Sequence, residues 1–92
     1  MDALKDLESR IATDPEFRRQ WVEDSADRDI LFAIAELRCG QGLSQKELAE
    51  RTGIRQGDIS KIESGKGNPT LATLNKIAIG LGMRLEIKFV QY

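Results

Sequence analysis

Residues 42–63, GLSQKELAERTGIRQGDISKIE, read as two short helices joined by a tight turn. Ser44-Gln45-Lys46-Glu47 is a capping box. In such a box the Ser hydroxyl and the Glu carboxylate each satisfy an orphan backbone N–H at the helix start. Leu48 and Ala49 supply the buried side of the first helix. Thr52-Gly53-Ile54 makes the turn: Gly53 permits positive φ, and Ile54 plugs the angle between the helices. The second helix runs from about Gln56 to Glu63. Its Ile59 and Ile62 face inward, while Gln56, Gly57, Ser60 and Lys61 lie on or near the other side. Gly57 is a poor helix residue, costing up to ~1 kcal/mol against Ala. The cost is smaller near a first turn, and a missing side chain lets the backbone approach a ligand closely.

Downstream, Ser64-Gly65-Lys66-Gly67-Asn68-Pro69 is a loop by composition. Thr70 caps a helix carrying Leu71, Leu74, Ile77, Ala78 and Leu81 at helical spacing, and Gly82 stops it. The tail from Met83 to Val90 alternates apolar and polar residues, which predicts a strand. A lone strand leaves its N–H and C=O groups unpaired. The economical partner is the same strand of a second copy, giving a two-fold dimer through Leu85, Ile87 and Phe89.

Upstream, Leu4, Leu7 and Ile11 predict a short amphipathic helix over about residues 2–11. Asp14-Pro15-Glu16 reads as a second helix start, with Asp14 as cap and Pro15 in the first helical position. Phe17 and Trp21 share a face. Ile30, Ile34 and Leu37 carry the helical pattern on to Gly40 and Gly42, which end it. The pattern leaves open whether the chain breaks near Asp24-Ser25.

The composition narrows the function. Ninety-two residues make one core, and 40% hydrophobic with 32% charged residues describes a soluble globular chain rather than a disordered one. No apolar run approaches the roughly 18 residues of a membrane span, and the acidic N-terminus does not read as a signal peptide, so a cytoplasmic location is expected. Cys39 is the single cysteine and reads as a small buried filler. With no histidine and one cysteine, the usual ligands of a zinc site are missing and a Ser-His triad cannot be built. No catalytic residue, metal, cofactor or small-molecule substrate is expected. The charge is polarised: residues 1–40 hold ten acids and six bases, whereas residues 41–92 hold five acids and eight bases. The basic half suits phosphate, and the acidic half suits a basic partner or is simply a solvated helix face.

Two helices joined in this way straddle a phosphate backbone and set the second helix in the DNA major groove. Residues 28–82 resemble the Cro/C1-type (XRE) helix-turn-helix family. The resemblance is carried by L-S-Q-x-E-L-A, T-G-I-x-Q-x-x-I-S-K-I-E-x-G and N-P-T-L-x-T-L-x-K-I-A-x-x-L-G. It implies a mainly α, lambda-repressor-like domain of five helices. It implies that Gln56, Gly57, Ser60 and Lys61 face base edges. Arg38, Ser44, Gln45, Arg55, Lys66 and Asn68 would meet phosphates, and Arg38 would pair with Glu63. The chemistry agrees, since Gln can bond bidentately to adenine and Lys can donate to guanine. Asp58 serves the helix dipole in this reading, with cytosine N4 as its alternative partner.

The flanks add a narrower resemblance. An acidic extension containing D-P-E-F and a tail ending L-G-M-R-L-E-I-K-F-V look like HigA-type antitoxins. Such antitoxins pair with RelE/HigB-like toxins, small basic ribonucleases that cut mRNA, and repress their own operon as dimers. The implied organisation is an acidic helical extension over 1–27 that contacts the toxin, a DNA-binding domain over 28–82, and a dimerisation strand over 83–92. Phe17, Trp21, Glu23 and Asp24 are the toxin-binding candidates. Phe17 and Trp21 alternatively pack the N-terminal helices onto the domain. The rival readings of the whole chain are a stand-alone Cro-like repressor and an interaction-only adaptor that uses the same fold.

Overall fold

The computed structural model describes Asp2 to Gln91, so residues 1 and 92 of the expected terminal segments lie outside the described residues. Six helices follow one another: α1 (Ala3–Thr13), α2 (Pro15–Glu23), α3 (Ser25–Gly40), α4 (Gln45–Thr52), α5 (Gln56–Glu63) and α6 (Leu71–Gly80). Local chemistry sets most of the starts. Asp2 accepts from the Leu4 N–H at 3.0 Å, and Asp14 accepts from the N–H groups of Glu16 and Phe17, both at 3.1 Å. The capping box at Ser44 is complete, and the Thr70 hydroxyl accepts from the Thr73 N–H. The break left open in the sequence falls at Asp24, and Ser25 does not cap α3. Its hydroxyl donates instead to the Val22 carbonyl, 2.6 Å away. Arg28 bridges the break by donating from Nη2 to the Trp21 carbonyl at 2.7 Å.

The core belongs to the last four helices. Ile34, Leu43, Leu48, Ile59, Ile62, Ile77 and Leu81 are buried, with Ile30, Leu37, Ala49, Ile54 and Leu74 packed around them. Neither α1 nor α2 buries a residue. They pack on each other and then on α3, which draws the molecule out to 45 × 28 × 21 Å. No helix is long and apolar enough to cross a membrane.

Two expectations about the fold are corrected. Residues 28–82 hold four helices (α3 to α6) rather than five, and the other two lie in the N-terminal extension. The C-terminal strand is absent, for Met83 to Gln91 carry neither helix nor strand, and no strand occurs among the described residues. The tail's period of two cannot put one apolar face on a helix, and no strand among the described residues offers it a ladder of hydrogen bonds. Leu85 is half-buried, while Ile87 and Phe89 are exposed. Cys39 is exposed rather than a buried filler.

One close packing contact was invisible in the sequence. A Cβ at Gly80 would lie 2.5 Å from Cγ2 of Thr52, so glycine is what lets the end of α6 sit against the end of α4. Thr52 cannot easily yield. Its hydroxyl donates to the Leu48 carbonyl at 2.8 Å and accepts from the Ile54 N–H at 3.2 Å. Gly80→Ala is therefore expected to destabilise the fold by about 1–3 kcal/mol, as overpacking does. Urea unfolding followed by circular dichroism measures it.

Candidate nucleic-acid interface

The site begins with the turn between α4 and α5. Gly53 adopts φ 74°, where a Cβ is strained, and its N–H bonds the Ala49 carbonyl at 2.9 Å. The Thr52 hydroxyl then holds the Ile54 N–H, so the two bonds fix both sides of the corner. Ile59 and Ile62 anchor one side of α5 in the core. The opposite side, with Gln56, Gly57, Ser60 and Lys61, is exposed. Helical spacing thus sorts α5 into a packed face and a free one.

The N-terminus of α5 is open. Arg55 occupies the cap position without a side-chain hydrogen bond, as Asp24 does for α3, whereas α1, α2, α4 and α6 each have a side-chain cap. A Cβ built at Gly57 would meet nothing within 4 Å. No packing contact therefore calls for glycine there. Asp58 stands in the first turn, where its charge suits the helix dipole.

An ion pair ties α5 to α3. Arg38 donates from Nε to Oε2 of Glu63 at 2.9 Å and from Nη2 to Oε1 at 2.8 Å. Its third group, Nη1, reaches the Leu43 carbonyl at 2.7 Å. The side chains are only 15% and 7% exposed, so the fork is well shielded from water. Hydrogen bonding to Glu63 raises the Arg38 pKa above its ordinary value, burial works against it, and the carboxylate's charge adds to the rise. Because the folded value is raised, this contribution is fully present below the unfolded pKa of arginine and is lost only in strong alkali.

The loop after α5 is tied back to it. The N–H groups of Lys66 and Gly67 both bond the Lys61 carbonyl, at 2.9 and 3.0 Å. Lys66 and Asn68 are consequently held beside the exposed end of α5, with their side chains free. On the other flank, Ser44 is exposed and Gln45 half-buried at the start of α4. Arg55, Lys61 and Lys66 are exposed bases on this part of the molecule, and Asp58 is the acid among them.

A family model described as Helix-turn-helix matches residues 34–87. The chain belongs to the helix-turn-helix family. Its relatives include antitoxin HigA1 of Mycobacterium tuberculosis, 36% identical over 84% of this chain and 52% of that protein. An uncharacterized HTH-type transcriptional regulator of Haemophilus influenzae is 32% identical over 89% of this chain and 80% of its own length. The HTH-type transcriptional regulator SutR of Escherichia coli is 42% identical over 61% of this chain and 32% of its own. The helix-turn-helix chain thus spans about half the length of HigA1. No solved structure matches it. None of these relatives bears the name of an enzyme.

The remaining sequence candidates lie apart from α5. Phe17 and Trp21 are half-buried and stack with ring centroids 6.5 Å apart. Each ring face carries a guanidinium: Arg10 sits 3.9 Å from the Phe17 centroid and Arg28 3.7 Å from that of Trp21. These cation–π contacts were not foreseen, because each joins two different helices across the breaks at Asp14 and Asp24. Glu23 and Asp24 are exposed at the end of α2. Sequence reasoning also passed over Gln41, whose Nε2 donates to the Leu81 carbonyl at 2.7 Å and closes the C-terminus of α6.

Proposed function

We propose that this helix-turn-helix chain is an antitoxin that binds operator DNA as a homodimer, represses its own operon and neutralises a RelE/HigB-like mRNA-cleaving toxin. The observation that carries the toxin half is the reach of the HigA1 likeness, which covers 84% of the chain and so extends beyond the helix-turn-helix match. The acidic balance of residues 1–40 suits a basic ribonuclease. Phe17, Trp21, Glu23 and Asp24 form the toxin-facing set, on an extension that contributes nothing to the buried core.

On DNA, the free side of α5 enters the major groove. Gln56 and Lys61 read base edges, with Ser60 beside them. Arg55, Lys66, Asn68, Ser44 and Gln45 meet the backbone, and Arg38 reaches it from behind its pair with Glu63. At Gly57 the absence of a Cβ lets the first turn of α5 lie close to the DNA. Gly57→Ala is expected to leave the fold as stable or more stable, because the added methyl meets nothing and alanine favours helix. The same change is expected to weaken operator binding. Paired thermal melts and gel shifts check both halves.

The toxin reading is tested by co-expressing this chain with the product of the neighbouring gene. Rescue of growth that is lost on replacing both Phe17 and Trp21 with alanine supports it. A neighbour that is harmless alone points to a stand-alone repressor, a reading favoured by the likeness to transcriptional regulators such as SutR.

A further inference from the structure

The third residue of α4 and the third residue of α5 are both acids, and only one of them serves the fold. Glu47 in α4 turns back to accept from the Ser44 N–H at 3.2 Å, which completes the capping box. Asp58 in α5 makes no such bond: its side chain is one methylene shorter, and the start of α5 has no side-chain cap. Asp58 is exposed and, among the described residues, forms no ion pair with Arg55 or Lys61, three positions before and after it. The other acid of α5, Glu63, is taken up by Arg38. Asp58 is thus a free negative charge on the helix that faces DNA, with a free base on either side. Near phosphates such a charge lowers affinity unless a hydrogen-bond donor meets it.

We infer that Asp58 and Lys61 together read one C·G pair, the carboxylate accepting from cytosine N4 and the ammonium donating to guanine O6 and N7, and that Asp58 weakens binding to other sequences. The inference rests on operator binding through α5 and names one base pair that the operator must hold. A spacing of three sets the two side chains next to each other on the helix. In the major groove only cytosine N4 and adenine N6 offer hydrogens to a carboxylate. Adenine places its N7 acceptor beside N6, where the second carboxylate oxygen is repelled, whereas cytosine has no acceptor on that edge. Across the pair, guanine offers the ammonium two acceptors and thymine only O4. In the reversed G·C pair both charges meet groups of the wrong kind. The reach comes from Gly57. Aspartate is short, so the backbone must lie close to the bases, and a Cβ at Gly57 would meet nothing in the protein, which leaves that space to the DNA. A residue that is repelled by most sequences and accepted by one contributes to specificity at the expense of affinity.

Sequencing the duplexes bound from a randomised library tests this with the full chain, Asp58→Asn and Asp58→Ala. Wild type is expected to select a C·G pair at one position of each half-site. Asp58→Asn is expected to shift that position to A·T, because a carboxamide bonds adenine N6 and N7 together. Asp58→Ala is expected to bind an unrelated duplex more tightly in fluorescence anisotropy, while its preference for the selected site falls roughly fivefold to a hundredfold. Asp58 is exposed and unbonded, so circular dichroism should show both variants folded. A wild-type chain that selects no sequence overturns the DNA reading and this inference together. A wild-type chain that selects a site which both variants also select, with the same preference at every position, overturns the inference alone and leaves Asp58 as a partner of the helix dipole.

Discussion

Replacing Glu63 with alanine is expected to cost the fold about 3 kcal/mol. Arg38 would keep its charge in a position 15% exposed, with Nε and Nη2 deprived of their acceptors. Leaving a buried charge unpaired costs far more than the intact pair contributes. A small domain has about 5–15 kcal/mol in all, so the loss removes a large share of it. The effect should be local in origin, because α3 and α5 lose the bond that ties them together while Ile34, Ile59 and Ile62 remain packed. Replacing both partners with apolar residues of similar size, Arg38→Met with Glu63→Leu, should recover much of the stability. Urea unfolding of the three proteins checks this. A Glu63→Ala protein within experimental error of wild type would contradict it, as would a double variant weaker than the single.

Replacing Gln56 and Lys61 together with alanine is expected to weaken operator binding by about 2–4 kcal/mol, or roughly thirtyfold to a thousandfold. Neither side chain makes a hydrogen bond within the described residues, and both are exposed, so stability should be unchanged. The two residues should separate by salt. Loss of Gln56 relaxes preference at one base pair and leaves the salt slope alone. Loss of Lys61 lowers the slope of log affinity against log salt by about one for each half-site it touches. Fluorescence anisotropy over a salt series measures both. Operator binding unchanged in affinity and slope would remove α5 from the interface.

The parts of the fold legible in the sequence are those fixed by neighbours along the chain. Asp14 before Pro15, the Ser44–Glu47 box and Thr70 each name their helix start through hydrogen bonds spanning two or three residues. Gly53 names the turn because only a residue without Cβ takes φ 74° there without strain. Contacts made through space were not legible. Nothing in the pattern of α6 shows that Gly80 must meet Thr52, or that Gln41 closes a helix forty residues away. The tail failed for a different reason. Its alternation is a true strand period, but a strand is defined by the partner that pairs with it, and the described residues provide none. The free face of α5 was readable, since Ile59 and Ile62 fix its opposite side.

The proposed repression depends on α5 entering the major groove. The measurement that tests it most directly is a chemical footprint of guanine N7 on the DNA upstream of the protein's own gene. The prediction is two protected patches about one helical turn, or roughly 34 Å, apart, which fade together when Gln56 and Lys61 are replaced. Protection that persists unchanged in that variant, or bound DNA with every guanine N7 still reactive, would contradict it.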